Sequence, residues 1–139
     1  MAYGGHVSTS SYIRAQMARE VIHAAYADLF ARTRAHVLLT PALGCEAFGH
    51  DRTRPEQIGA VPIEPPWEDW CPFLYDANLA GLPACTLPMG RGDDGLPVAL
   101  QLQGPRGSDG PVLAVAEALE RSLNLDFGLA DPSAADPVN

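Results

Sequence analysis

Behind the hydroxyl-rich stretch Ser8–Ser11, apolar residues return at helical spacing: Ile13, Met17, Val21, Ile22, Ala25 and Leu29. A Ser/Thr cluster followed by that period predicts an N-capped helix from about Ser11 to Arg34, with Arg14, Arg19, Glu20 and Asp28 on wetter faces. The run HVLLT, His36–Thr40, is apolar, short and stopped by Pro41, which predicts a buried strand leading into a loop. Between residues 41 and 72 stand six prolines and three glycines, a density that predicts one long irregular loop. Phe73–Leu79 predicts a short helix closed by Gly81 and Pro83, and Ala84–Leu87 and Leu96–Gln103 predict strands. Ser108 or Asp109 then caps a last helix, with Pro111 in its first turn and Val112, Val115, Ala116, Leu119 and Leu123 as its apolar stripe.

This order predicts an α/β fold, a mixed β-sheet flanked by helices. The expected organisation is a flexible N-terminus over 1–10, one α/β domain over 11–123, and a frayed tail over 124–139, where apolar periodicity fades. Three strands and two main helices do not close a sheet comfortably, so an edge or a face should be bare and need a partner.

Composition narrows the chemistry. The formal charge is −8, and all nine basic residues are arginine, with no lysine. An acidic surface repels a phosphate backbone, so nucleic acid is not an expected partner. Without lysine there is no Schiff base, no phosphate-binding P-loop lysine and no lysine general base. No apolar run is long enough to span a bilayer, and no basic segment precedes an apolar stretch at the start, so a membrane is not expected either. Cys45, Cys71 and Cys85 are odd in number and lack a C-x-x-C pair, which fits reduced thiols in a cytoplasmic protein better than a disulfide framework or zinc site.

Several short motifs compete for attention. GRGDDG, Gly90–Gly95, matches G-x-G-x-x-G literally, but a dinucleotide site needs a strand before it and a helix after it. Here LPVALQLQG follows, which reads as a strand, and Asp93 and Asp94 would put negative charge where phosphate must sit. A turn between two strands is the better account. Cys45, His50 and Asp51 have the residue types of a cysteine nucleophile, base and orienting acid, a runner-up reading as a cysteine hydrolase. His6, His23 and His36 show no ligand spacing, and no metal or other cofactor is expected. Glu64, Glu68, Asp69 and Asp76 are paired-carboxylate candidates more simply read as solvated acids. Trp67, Trp70, Phe73 and Tyr75 crowd a proline-rich loop, where aromatics either line an apolar pocket or pack the loop onto the sheet.

The stretch Asn78–Ala84 (NLAGLPA), the strand ending at Pro88 and Gly95–Pro105 (GLPVALQLQGP) together resemble the C-terminal part of the amidase signature family. Tyr12–Leu39 resembles that family's long helix running into a strand and a proline, and Phe48–Asp51 is similar to a loop motif of some of its amidases. Ala99 departs from a common glycine. The resemblance covers about residues 10–123 in the family's order. It implies a partial version of the amidase signature fold and, in the complete enzyme, hydrolysis of the C–N bond of a small-molecule amide.

The family uses a serine nucleophile, a bridging serine in a cis peptide and a lysine base, in its N-terminal half. Ser8, Ser10, Ser11, Ser108, Ser122 and Ser133 match none of that signature, so no catalytic residue is carried over. By position, Trp67, Trp70, Phe73 and Tyr75 are the substrate-binding candidates on the acyl side. The chain is therefore expected to be inactive alone and to need a separate N-terminal amidase chain. The alternative is a non-catalytic binding module that hides its bare sheet as a homodimer.

Overall fold

The computed structural model describes residues 6–63 and 70–125. The first helix, α1 (Thr9–Thr33), opens where the Ser8 hydroxyl accepts the Ser11 amide at 3.1 Å and closes at Arg34 in the left-handed region. It starts two residues before the sequence expectation because the cap is the first serine of the cluster. Strand β1 (Leu38–Pro41) follows. The proline-rich segment is less irregular than its composition suggests: Gln57–Ile58 (β2) and Val61–Pro62 (β3) pair as a minimal hairpin around Gly59, whose φ is +57°. Glycine tolerates that backbone, and Pro62, at the end of the pair, gives up little by lacking an amide.

Helix α2 (Pro72–Ala80) has its proline at the first position, where no intrahelical donor is lost. Gly81, at φ +65°, ends it. Strands β4 (Ala84–Arg91) and β5 (Pro97–Gln103) form a hairpin, and helix α3 (Asp109–Leu123) closes the described fold. GRGDDG thus ends β4 and turns the chain into β5, a turn between two strands as the sequence reading prefers. The Gly92 amide donates to the Leu96 carbonyl and the Gly95 amide to the Gly92 carbonyl.

The main sheet has the order β1-β5-β4. Both of its pairings are antiparallel, so within the α/β layout no parallel pair of a mixed sheet occurs among the described residues. In register, Leu102 stands opposite Leu39 and Cys85, and Gln103 opposite Leu38 and Ala84. Opposed residues share a face, so the sheet has two distinct sides. On one side Leu87 and the fully buried Leu102 pack against Val112 and Ala116 of α3, with Val37, Cys85, Val115 and Leu119 around them. On the other side lies α2, with α1 packed on α2.

The α1 stripe corrects the sequence reading. Ile13, Met17 and Val21 are 53%, 65% and 70% exposed, and Phe30 alone is buried among the residues of this helix. Among the described residues the helix packs chiefly through its C-terminal half, against α2, with Arg19 of the first half donating to the Leu79 carbonyl. Among the described residues both edges of the three-stranded sheet, β1 and β4, are also unpaired.

Candidate functional site

The polar side of the sheet is where chemistry-bearing groups gather. An L-Q-L-Q alternation would ordinarily give its glutamines to solvent, yet Gln101 is 3% and Gln103 0% exposed. The reason lies in the start of α2. Both glutamine amides donate to the Phe73 carbonyl, Gln101 at 2.7 Å and Gln103 at 3.3 Å, so two side chains of β5 seat the first turn of the helix. Nothing local in the sequence announces this, because the acceptor is a backbone group about thirty residues away.

Around that seat three buried polar atoms, Thr40 Oγ1, Trp70 Nε1 and Gln103 Oε1, have no hydrogen-bond partner among the described residues. Thr40 lies opposite Gln101 in the register, so it shares the glutamines' face. An unmade hydrogen bond of this kind costs about 1–3 kcal/mol.

Trp70 precedes the helix and is half-buried, its ring edge-on to Phe48 with centroids 5.5 Å apart and an 86° interplanar angle. The Gly44 amide donates to its carbonyl at 3.0 Å, tying the segment after β1 to the segment before α2. Phe73 and Tyr75 are half-buried on the first turn of α2, and the Cys71 thiol donates to the Tyr75 hydroxyl at 3.5 Å. The structure therefore brings Trp70, Phe73 and Tyr75 together at one helix start, while Trp67 lies outside the described residues, as do Glu64, Glu68 and Asp69. Of the four acidic candidates only Asp76 is placed. It accepts the Tyr26 hydroxyl at 2.9 Å, fastening α2 to α1. Burial first, then that hydrogen bond and the carboxylate's charge, push Tyr26 up to about 12.

Two clefts flank this region. One, of ≈440 Å³, runs between the Pro41–Ala47 segment and Met89 and Val98–Leu100 of the hairpin; it is mainly apolar, with Cys45 and Glu46 in its wall. Glu46 is occupied structurally, since its carboxylate accepts the Asp93 amide at 3.1 Å and so props the hairpin turn. The other, of ≈310 Å³, opens between α2 and β4 and offers Asn78, Thr86 and Gln101.

The cysteine-hydrolase reading gains nothing from this geometry. Burial, and then the neighbouring Cys71, push the Cys45 thiol above its usual value, the opposite of what activates a nucleophile. Among the described residues no hydrogen bond joins Cys45 to His50 or Asp51, and both of those are exposed. No group of three or more His, Cys, Asp or Glu capable of holding a metal occurs among the described residues, and no helix there is long and apolar enough to cross a membrane.

Comparison with known proteins matches this arrangement to a family. A glutamyl-tRNA(Gln) amidotransferase subunit of Nitrobacter hamburgensis is 38% identical over 111 residues, 80% of this chain but 21% of that protein. The subunit of the same name from Brucella anthropi is 35% identical over the same shares. Among solved structures, a bacterial aryl acylamidase of the amidase signature enzymes superposes with a TM-score of 0.69 at 30% identity, covering 84% of this chain and 24% of that one. The same amidotransferase subunit from Thermotoga maritima gives 0.66 at 28% identity, covering 81% and 22%. The chain thus spans about a fifth of the length of the curated relatives it matches. The family model described as Amidase matches residues 1–113, and the chain belongs to the amidase family.

Proposed function

We propose that this chain supplies the C-terminal part of an amidase-signature hydrolase and does not cleave amides unaided. Nucleophile and base come from polypeptide outside these 139 residues, and this chain contributes sheet, α2 and one wall of the acyl pocket. The observation that carries the reading is a family match without the family's base: no residue of the chain is a lysine, and its serines fit no part of the serine signature. The exposed Ile13–Met17–Val21 stripe and the two bare strand edges support it, because they are surfaces that a larger sheet and its helices would cover. In the completed enzyme, Trp70, Phe73 and Tyr75, with Trp67, line the acyl side of a small-molecule amide.

The test uses an aryl acylamide such as 4-nitroacetanilide. The chain alone gives no turnover above buffer. Mixing it with an amidase-signature segment carrying the serine motif and a lysine restores turnover, and Trp70→Ala in the mixture raises KM more than it lowers kcat. Cleavage by the chain alone, persisting through purification, overturns the proposal.

The bare edges also favour a second reading, a module that pairs with itself. Sizing of the purified chain separates the two. A stable homodimer indifferent to the added segment supports self-pairing, and a species that joins the added segment supports completion.

A further inference from the structure

Two thiols flank one backbone contact. Where the Gly44 amide meets the Trp70 carbonyl at 3.0 Å, the next residue on each segment is a cysteine, Cys45 on one and Cys71 on the other. Gly44 lets the segments come this close: a Cβ there would stand 3.2 Å from the Trp70 carbonyl oxygen. Cys71 is also, after burial, a cause of the upward push on the Cys45 thiol. Their surroundings differ. Cys45 is partly open to the apolar cleft it lines, whereas Cys71 is 6% exposed at the start of α2.

We propose that Cys45 and Cys71 form a redox modification site, an attacking and a resolving thiol that close into a disulfide by exchange with a small-molecule disulfide such as oxidised glutathione. Cys45, the accessible sulfur, attacks as thiolate. The glutathione S–S bond breaks, one glutathione thiolate leaves, and Cys45 carries a mixed disulfide. The Cys71 thiolate then attacks the Cys45 sulfur, expelling the second glutathione thiolate. Two protein thiols are oxidised, one glutathione disulfide is reduced, and the two protons leave on the two glutathione thiols.

The upward push on Cys45 makes the first step slow at neutral pH and faster as pH rises through the thiol range. Closure gives up the Cys71–Tyr75 contact and staples the segment after β1 to the start of α2. Trp70 and the cleft wall are thereby fixed together.

Cys85 is the internal control, because it packs among the residues under α3 on the other side of the sheet. The full chain is equilibrated in mildly alkaline mixtures of oxidised and reduced glutathione, quenched with acid, alkylated and mapped by mass spectrometry. The expected product is a dominant Cys45–Cys71 link with Cys85 alkylated. In guanidinium the preference reverses, because Cys71–Cys85 closes the shorter loop and is favoured about 2.5-fold over Cys45–Cys71 on loop entropy. Cys71→Ser leaves Cys45 as a lasting glutathione adduct, and Cys85→Ser leaves the link intact. Native pairing that matches the guanidinium statistics overturns the proposal. So does a wild-type chain that holds Cys45 only as the adduct, or loss of the link in Cys85→Ser.

Discussion

The two helices that bracket the described fold both carry apolar residues at helical spacing, more sharply gathered on one face in α3 than in α1, and the two sets meet opposite fates. On α3, Val112 and Ala116 sink against Leu87 and Leu102, with Val112 at 2% and Leu102 at 0% exposure. On α1, Met17 and Val21 stand in the open. A period of about 3.6 states which residues a helix can bury together, but it does not supply the surface that buries them. For α3 that surface is the β4–β5 hairpin, delivered by the same stretch of chain. For the first half of α1 nothing among the described residues plays that part, and the lesson is that a stripe is a request for a partner.

The difference can be broken most forcefully at the packed end. Leu102→Ala removes a side chain with no solvent contact and should cost about 2–5 kcal/mol, which for a domain of this size is a large share of its stability. A urea titration followed by circular dichroism reads it, and a loss under about 1 kcal/mol would mean that the core is looser than described. Gly104→Ala comes next. A Cβ there would collide with Ser108 Oγ and Val112 Cγ2, wedging α3 off the sheet at about 1–3 kcal/mol in the same titration.

Where α1 meets α2, Tyr26→Phe deletes the hydroxyl that donates to Asp76 and should cost about 1–1.5 kcal/mol at neutral pH. Its pH dependence has a definite sign. The folded tyrosine titrates at about 12 against 10 unfolded, so the protonated hydroxyl stabilises fully below pH 10 and the contribution is lost as pH rises toward 12. Melting curves of wild type and Tyr26→Phe should therefore converge above pH 10, and a gap constant with pH would refute the Tyr26–Asp76 attribution. The smallest effect belongs to the bare end. Met17→Ala should change stability by less than about 0.5 kcal/mol, and a loss comparable to Leu102→Ala would show that the stripe is covered in solution.

Local chemistry made much of this fold legible in advance. The Ser8–Ser11 cluster supplies the cap of α1, Gly81 ends α2, and the Gly/Asp-rich GRGDDG turn closes the hairpin, each through the backbone preferences of a few neighbouring residues. The minimal β2–β3 hairpin is not legible in the sequence, because the density of prolines masks the turn at Gly59. The candidate site was legible only as residue types. That Trp70, Phe73 and Tyr75 meet at one helix start follows from their spacing, but what anchors that start does not.

What the sequence determined by itself was the class of element at each position, the family resemblance carried by NLAGLPA and GLPVALQLQGP, and the absence of any ammonium side chain for base chemistry. All three depend on residue identity or on interactions within a turn or two of the chain. Only the tertiary structure decided that Gln101 and Gln103 are buried, that Tyr26 donates to Asp76, that the Gly44 amide meets the Trp70 carbonyl, and that half of the α1 stripe is left uncovered among the described residues. Each of those depends on which distant segment supplies the acceptor, the charge or the apolar surface, and a one-dimensional pattern does not encode that choice.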